Sequence, residues 1–157
     1  MSNNAVDKRL LSESETEVIS NKFGKFKVLK SSKITLPFGL IGIPELKFYY
    51  IIENFNSTID NFSLLQSTER EAVTFLLYHQ EVNNSLINKI DIITTCMLIG
   101  MKKEEVDLFL IASLKKGGEG KTNIALNAKA PLFIDRNNNI GMQYVLQNNL
   151  YSTQHLL

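Results

Sequence analysis

The chain has 157 residues, 44% of them hydrophobic, with a formal net charge of +1 and a pI near 7.8. That length can bury one sizeable core, so a single domain is expected, and near-neutrality excludes the charge footprint of a protein that binds nucleic acid or an anionic membrane directly. No apolar run approaches the ~20 residues that span a bilayer, and the opening MSNNAVDKRLLSESETEVISN lacks the basic-then-apolar order of a secretory signal, so a cytoplasmic protein is expected.

Residues 1–22, with Glu13, Glu15 and Glu17 clustered, read as a flexible polar extension, and the domain is expected over 23–157. Two-residue periodicity then dominates. Phe26 and Val28 alternate with lysines across 23–30, and a short apolar stretch at 34–36 runs into a loop dense with turn formers, Pro37, Gly39, Gly42 and Pro44. Short β-branched or aromatic runs follow at 48–52, 62–66 and 73–78. The segment 91–100 predicts a short helix, with Asp91 as N-cap and Gly100 as terminator; apolar residues at 86, 90, 93 and 97 form its stripe. Alternation is strongest over 106–114, where Phe109 and Ile111 make the second face partly apolar too, as in a central strand. Strands at 122–128, 132–134 and 140–146 complete the chain, the last two joined by an asparagine-rich hairpin turn over 135–139. The fold class expected is mostly β: a single-domain antiparallel β-barrel-like fold with one or two short helices.

Residues 116–122, KGGEGKT, run from Lys116 to Thr122 and match the phosphate loop of deviant Walker A nucleotide-binding proteins, with Lys121 as the phosphate lysine. Such a loop needs a strand before it, which 106–114 supplies, and a helix after it, so that backbone N–H groups face the phosphates. A helix from Thr122 must stop before Pro131, leaving about eight residues, fewer than the ~10–12 of a minimal parallel crossover. The chain ends at Leu157, too soon for the rest of a nucleotide-binding sheet, and Glu119 would set negative charge beside the phosphates. Because 122–128 alternates and suits pairing with 106–114, the glycines and lysines are expected to form a solvated hairpin tip. Nucleotide binding through this loop is the alternative reading.

Other chemistry is sparse. Cys96 is the only cysteine, which rules out an intrachain disulfide and a cysteine-based zinc site. His79 and His155 do not form a ligand-spaced pair, so no metal is assigned. Residues 67–71 read as a solvated turn, and no serine sits in a nucleophile-elbow context. No catalytic residue and no cofactor is assigned; the expectation is a non-enzymatic binding protein.

Three stretches and the C-terminus together resemble one family, the flagellar assembly factor FliW. ITLPFGLIGIPELKF at 34–48 is similar to the family's Phe-Pro-x-Gly-Leu-Pro-Gly-Phe loop, and FSLLQS at 62–67 to its aromatic strand ending in Leu-Gln-Ser. ALNAKAPLFID at 125–135, followed by Gly141 and Gln143, resembles Thr-x-Asn-Leu-x-Ala-Pro and the Gln-bearing strand after it. YSTQHLL at 151–157 resembles the Tyr-Ser-x-Arg-His ending. Ile41 and Ile43 depart from the usual Pro and Phe, Ala128 from Leu, and Gln154 from Arg. The resemblance implies a small cytoplasmic β-barrel-like chaperone, a monomer, that binds newly made flagellin. In many bacteria such proteins also sequester the translational repressor CsrA, so that flagellin synthesis follows export. Family members are usually acidic, which steers the encounter with that basic repressor; this chain is not. Flagellin's termini would fold on contact, so an apolar groove or open edge is expected. The candidate partner surfaces are Pro37, Phe38, Gly39 and Leu40 on one loop and Asn127, Lys129 and Pro131 on another; Gly39, Gly42, Pro44 and Pro131 also suit turns, and Asn127 also suits a strand-end cap.

Overall fold

The computed structural model describes residues 13–81 and 85–157. Its strands are β1 (Thr16–Asn21), β2 (Gly24–Leu29), β3 (Ile34–Thr35), β4 (Phe48–Ile52), β5 (Phe62–Ser67) and β6 (Thr74–Gln80). Among the described residues one α-helix, α1 (Lys89–Ile99), precedes β7 (Val106–Lys116), β8 (Thr122–Leu126), β9 (Leu132–Asp135), β10 (Ile140–Gln143) and β11 (His155–Leu156). The main sheet runs β11-β8-β7-β6-β5-β4-β3-β10-β9, and a further β7–β9 pairing closes it into a ring. All its pairs are antiparallel except β10 with β3, which meet in parallel at Ile140 and Thr35. The expected mostly-β, barrel-like architecture is what forms, with that one parallel contact inside it.

Strand β7 explains the closure. It pairs with β9 over Val106–Phe109, with β6 over Leu108–Ala112, and with β8 from Ala112 to Lys116. Its two faces feed two cores. Phe109 joins Leu36, Tyr49, Leu65, Leu77, Leu132 and Ile134 in one cluster, while Val106, Leu108, Leu110 and Ala112 join Phe133, Leu126 and the helix residues Ile92 and Cys96 in the other. Both-face apolarity at 106–114 is therefore the mark of a wall between an interior core and an outer one. Burial pushes the Cys96 thiol up, so it stays protonated and packs as a small apolar side chain.

The turn KGGEGKT is a hairpin tip. Lys116 pairs with Thr122, Gly118–Gly120 makes a single 3-10 turn, and Glu119 adopts positive φ (61°). Because Thr122 opens strand β8 and not a helix, no helix N-terminus faces the glycines, and the nucleotide-binding alternative loses its geometry.

Two expectations are corrected. Strand β1 begins at Thr16, inside the segment expected to be a flexible extension up to residue 22, and pairs with β2 along its length. It is anchored from a distance: the Asn21 amide donates to Gln66 Oε1 at 2.9 Å. Burial first, and the Glu17 carboxylate second, push the Tyr50 hydroxyl up to about 12. Residues 1–12 of that expected extension lie outside the described residues. The second correction concerns α1. Its N-cap is Asn88, whose Oδ1 accepts from Ile90 N at 2.9 Å, and Asp91 lies in the first turn; Gly100 closes it in the left-handed conformation (φ 73°) as expected. The stripe at 86, 90, 93 and 97 faces outward, with Ile90 70% and Met97 78% exposed, while Ile92, Thr95 and Cys96 are buried. A helix apolar nearly all round carries no periodicity that selects a face. Here the tether decides: the Tyr151 hydroxyl donates to Asp91 Oδ2 at 2.5 Å, and Asn148 Nδ2 donates to the same oxygen at 3.3 Å.

Two carboxylates give the fold an acid limit. Glu69 Oε1 accepts from the backbone N–H of Lys47 (2.8 Å) and Phe48 (3.0 Å), and these bonds hold its pKa below 4.5. Asp135 accepts from the Asn138 amide and from the N–H groups of Asn137 and Asn138, which hold its pKa below 3.8. Both folded values lie below the unfolded ones, so the stability they supply is complete above the unfolded pKa and is lost as pH falls through the folded pKa. The urea midpoint is therefore expected to fall between about pH 6 and about pH 3, and by less in the Glu69→Gln and Asp135→Asn variants, measured by fluorescence unfolding.

Candidate functional site

The two loops singled out in the sequence meet across one side chain. Gln143, at the end of β10, accepts from Ile41 N through Oε1 at 2.9 Å and donates through Nε2 to the Ala130 carbonyl at 3.2 Å. Loop 37–44 is thereby fixed to corner 127–131. The loop is rigid within itself as well: Gly39 N donates to Leu36 O, Ile43 N to Leu40 O, and the Lys47 ammonium donates to the carbonyls of Pro37 (2.9 Å) and Pro44 (3.0 Å).

Within this junction the predicted residues divide. Phe38 is 70% exposed and points a whole aromatic ring at solvent. Gly39 is buried at φ 62°, and Leu40 belongs to the interior core at 2% exposure. Pro37 is half-buried, its carbonyl taken by Lys47. At the corner, Asn127 Oδ1 accepts from Ala130 N at 3.1 Å, Lys129 Nζ donates to Asn148 O at 2.9 Å, and buried Pro131 accepts from Tyr144 N. Ala128 N and Lys129 N both donate to Ser152 O. Lys129 and Pro131 thus spend their polar groups holding the segment 144–152, Asn127 spends its own on Ala130 and Ile111, and the outward apolar surface comes from Phe38 with its neighbour Ile41, 62% exposed.

Sequence reasoning missed Ile41 as a surface residue and Gln143 as the clamp. The signal for Ile41 was present, a large apolar residue between Leu40 and the turn glycine Gly42; Gln143 was marked only through the family resemblance, and nothing local pairs it with Ile41, 102 residues away in the chain. On the far side of the corner, a cleft of about 400 Å³ is lined by Leu86, Asn88, Ala128, Leu150 and Tyr151.

No reaction chemistry gathers around these loops. A cluster of opposite charges elsewhere on the ring is self-satisfied: Arg136 bonds Asp107 and Glu53, each at 2.7 Å, with His79 4.0 Å from Asp107. Among the described residues, no group of three or more His, Cys, Asp or Glu could hold a metal ion, and no helix is long and apolar enough to cross a membrane.

Comparison with known proteins settles the family, because the model described as FliW protein matches residues 17–157, loop, corner and C-terminal strand included. The chain belongs to the FliW family. It is similar to the flagellar assembly factor FliW of Desulfitobacterium hafniense (29% identical over 146 residues, 90% of each chain). It is likewise similar to that of Clostridium botulinum (25% over 148 residues, 88% of this chain and 96% of the relative). The fold is shared with a crystal structure of the flagellar assembly factor FliW at a TM-score of 0.66 and 20% identity, covering 89% of this chain and 96% of the other. The FliW match begins within β1, which agrees with an ordered domain that starts before residue 23.

Proposed function

We propose that this chain is a non-enzymatic assembly factor that binds newly made flagellin in the cytoplasm, and that it also sequesters CsrA, coupling flagellin synthesis to export. The observation that carries this reading is the Phe38–Ile41 pair, held out on a loop that Gln143 and Lys47 make rigid. Two exposed apolar side chains on a fixed frame suit a partner segment that folds on contact, because the frame itself needs no ordering when it binds. With a net charge of +1, the encounter with a basic repressor lacks long-range steering, so CsrA association here is expected to depend only weakly on salt.

Titration calorimetry with the organism's own flagellin tests the proposal. The Phe38→Ala/Ile41→Ala double variant is expected to bind at least about tenfold more weakly, with an unchanged melting temperature, since neither side chain is buried. Absence of wild-type binding at about 50 μM would overturn the flagellin reading; equal binding by the double variant would move the site elsewhere.

A further inference from the structure

A second apolar surface lies on other elements, and KGGEGKT borders it. Between the β1–β2 hairpin and the main sheet runs a cleft of about 450 Å³. Phe62, Leu76, Leu114 and Ile124 supply its floor, one from each of the neighbouring strands β5, β6, β7 and β8. Four strands at ~4.8 Å spacing make a floor about 14 Å wide. One wall is Phe23, 41% exposed and packed edge-to-face on Phe55 at 5.4 Å; Leu114 on the floor is 65% exposed.

This floor continues the outer core. Phe62, Leu76 and Ile124 pack against the same cluster that α1 covers further along with Ile92 and Cys96. The sheet face is thus covered by a helix at one end and open at the other, and a sheet face ordinarily buries itself under a helix or a second sheet. A helix of about ten residues is ~15 Å long, the width of the floor.

The rim is basic. Lys22 lines the cleft with Nζ 5.3 Å above the Phe23 ring. Lys116 lies two residues beyond Leu114 on β7 and so shares its face, and Lys121 sits across the tip. Among the described residues, neither Lys22 nor Lys116 is in a salt bridge. The acids close in sequence are Asp60, beside Ile59, and Glu119 in the tip.

We infer that this cleft is a docking site for a short amphipathic helix of another protein, apolar on one face and acidic along its flanks. A second copy of this chain is disfavoured, because it would set Lys22 and Lys116 against their own counterparts. Residues 1–12 are disfavoured too, since Asp7 is their only acid, beside Lys8 and Arg9. The inference does not depend on flagellin binding at the Phe38–Ile41 loop.

The test uses the full chain and a synthetic peptide of about eighteen residues, leucine on one helical face and glutamate on the flanks, beside a control with lysine for every glutamate. Fluorescence anisotropy is expected to give a Kd of tens of micromolar for the acidic peptide and at least about tenfold weaker binding for the control. Leu114→Glu and, separately, the Lys22→Glu/Lys116→Glu variant are each expected to weaken the acidic peptide by about tenfold or more. All three positions are exposed, so circular dichroism and melting should match wild type; should Leu114→Glu fail to fold, the lysine variant decides. No binding of the acidic peptide at about 500 μM, equal binding of both peptides, or indifference to the lysine variant would each overturn the inference.

Discussion

Replacing Gly39 by alanine is expected to destabilise the protein by about 3 kcal/mol, a fall of roughly 10 °C in melting temperature. Gly39 sits at φ 62°, and a Cβ there would lie 2.6 Å from both Pro44 Cα and Pro44 O. The left-handed conformation alone costs a side chain about 1 kcal/mol. The rest comes from the clash, because its partner is backbone pinned by the Lys47 ammonium and has no rotamer to change. The loop can relieve the contact only by opening, which would draw Leu40 from the interior core and break the Ile41–Gln143 bond. Gly42 is the control. Its φ is 92° but nothing lies within 4 Å of its would-be Cβ, so Gly42→Ala should cost only the conformational ~1 kcal/mol. Thermal unfolding of the two variants side by side measures the difference; equal losses would mean that the turn has room to spare.

The second large effect is expected at Gln66, fully buried in β5. Its Oε1 accepts from Asn21 Nδ2 and from the Thr74 hydroxyl, and its Nε2 donates to the carbonyls of Ser67 (3.0 Å) and Glu71 (3.1 Å). One amide thus joins the hairpin, β6 and the turn after β5. Gln66→Leu fills the space but strands these partners, at about 1–3 kcal/mol for each group left without water or protein, so a loss of about 3 kcal/mol is expected. The hairpin should loosen before the ring does. Hydrogen exchange at Val18 and Phe26 should accelerate in the variant, while exchange at Leu108 changes only by the global loss. Uniform acceleration would show that Gln66 supports the ring as a whole.

Much of this was legible in the residues. Alternation located most strands, the asparagine turn after β9 formed as its composition required, and the two-faced apolar pattern of β7 marked a central strand. What stayed hidden was settled at long range. Strand β1 has only Val18 and Ile19 as apolar residues among Thr16, Glu17, Ser20 and Asn21, and it is tied to the main sheet through Gln66, a contact that local propensity does not register. The outward face of α1 was misread because Ile90, Ile93 and Met97 are as apolar as Ile92 and Cys96; what distinguishes the faces is Asp91, bonded to Tyr151 and Asn148, 60 and 57 residues away. At the candidate site, the motifs located both loops but not their division of labour. Glycine and proline spacing showed that the chain turns there, while the burial of Leu40 and exposure of Phe38 follow from ring closure.

That closure also sets an order of events during synthesis. The ring is completed by β9 and β10, which supply Leu132 and Ile134 to the interior core and join β3 to β7. Until residues 132–143 have left the ribosome, Leu36, Tyr49 and Leu65 have no far wall, and the nascent chain carries an open apolar trough. Pairing Thr35 with Ile140 joins positions more than a hundred residues apart, a separation that slows folding and prolongs exposure to aggregation. A chain interrupted before β9 would therefore be a target for chaperones and proteases, and it is the emergence of β9 and β10 that carries the protein from vulnerable to stable.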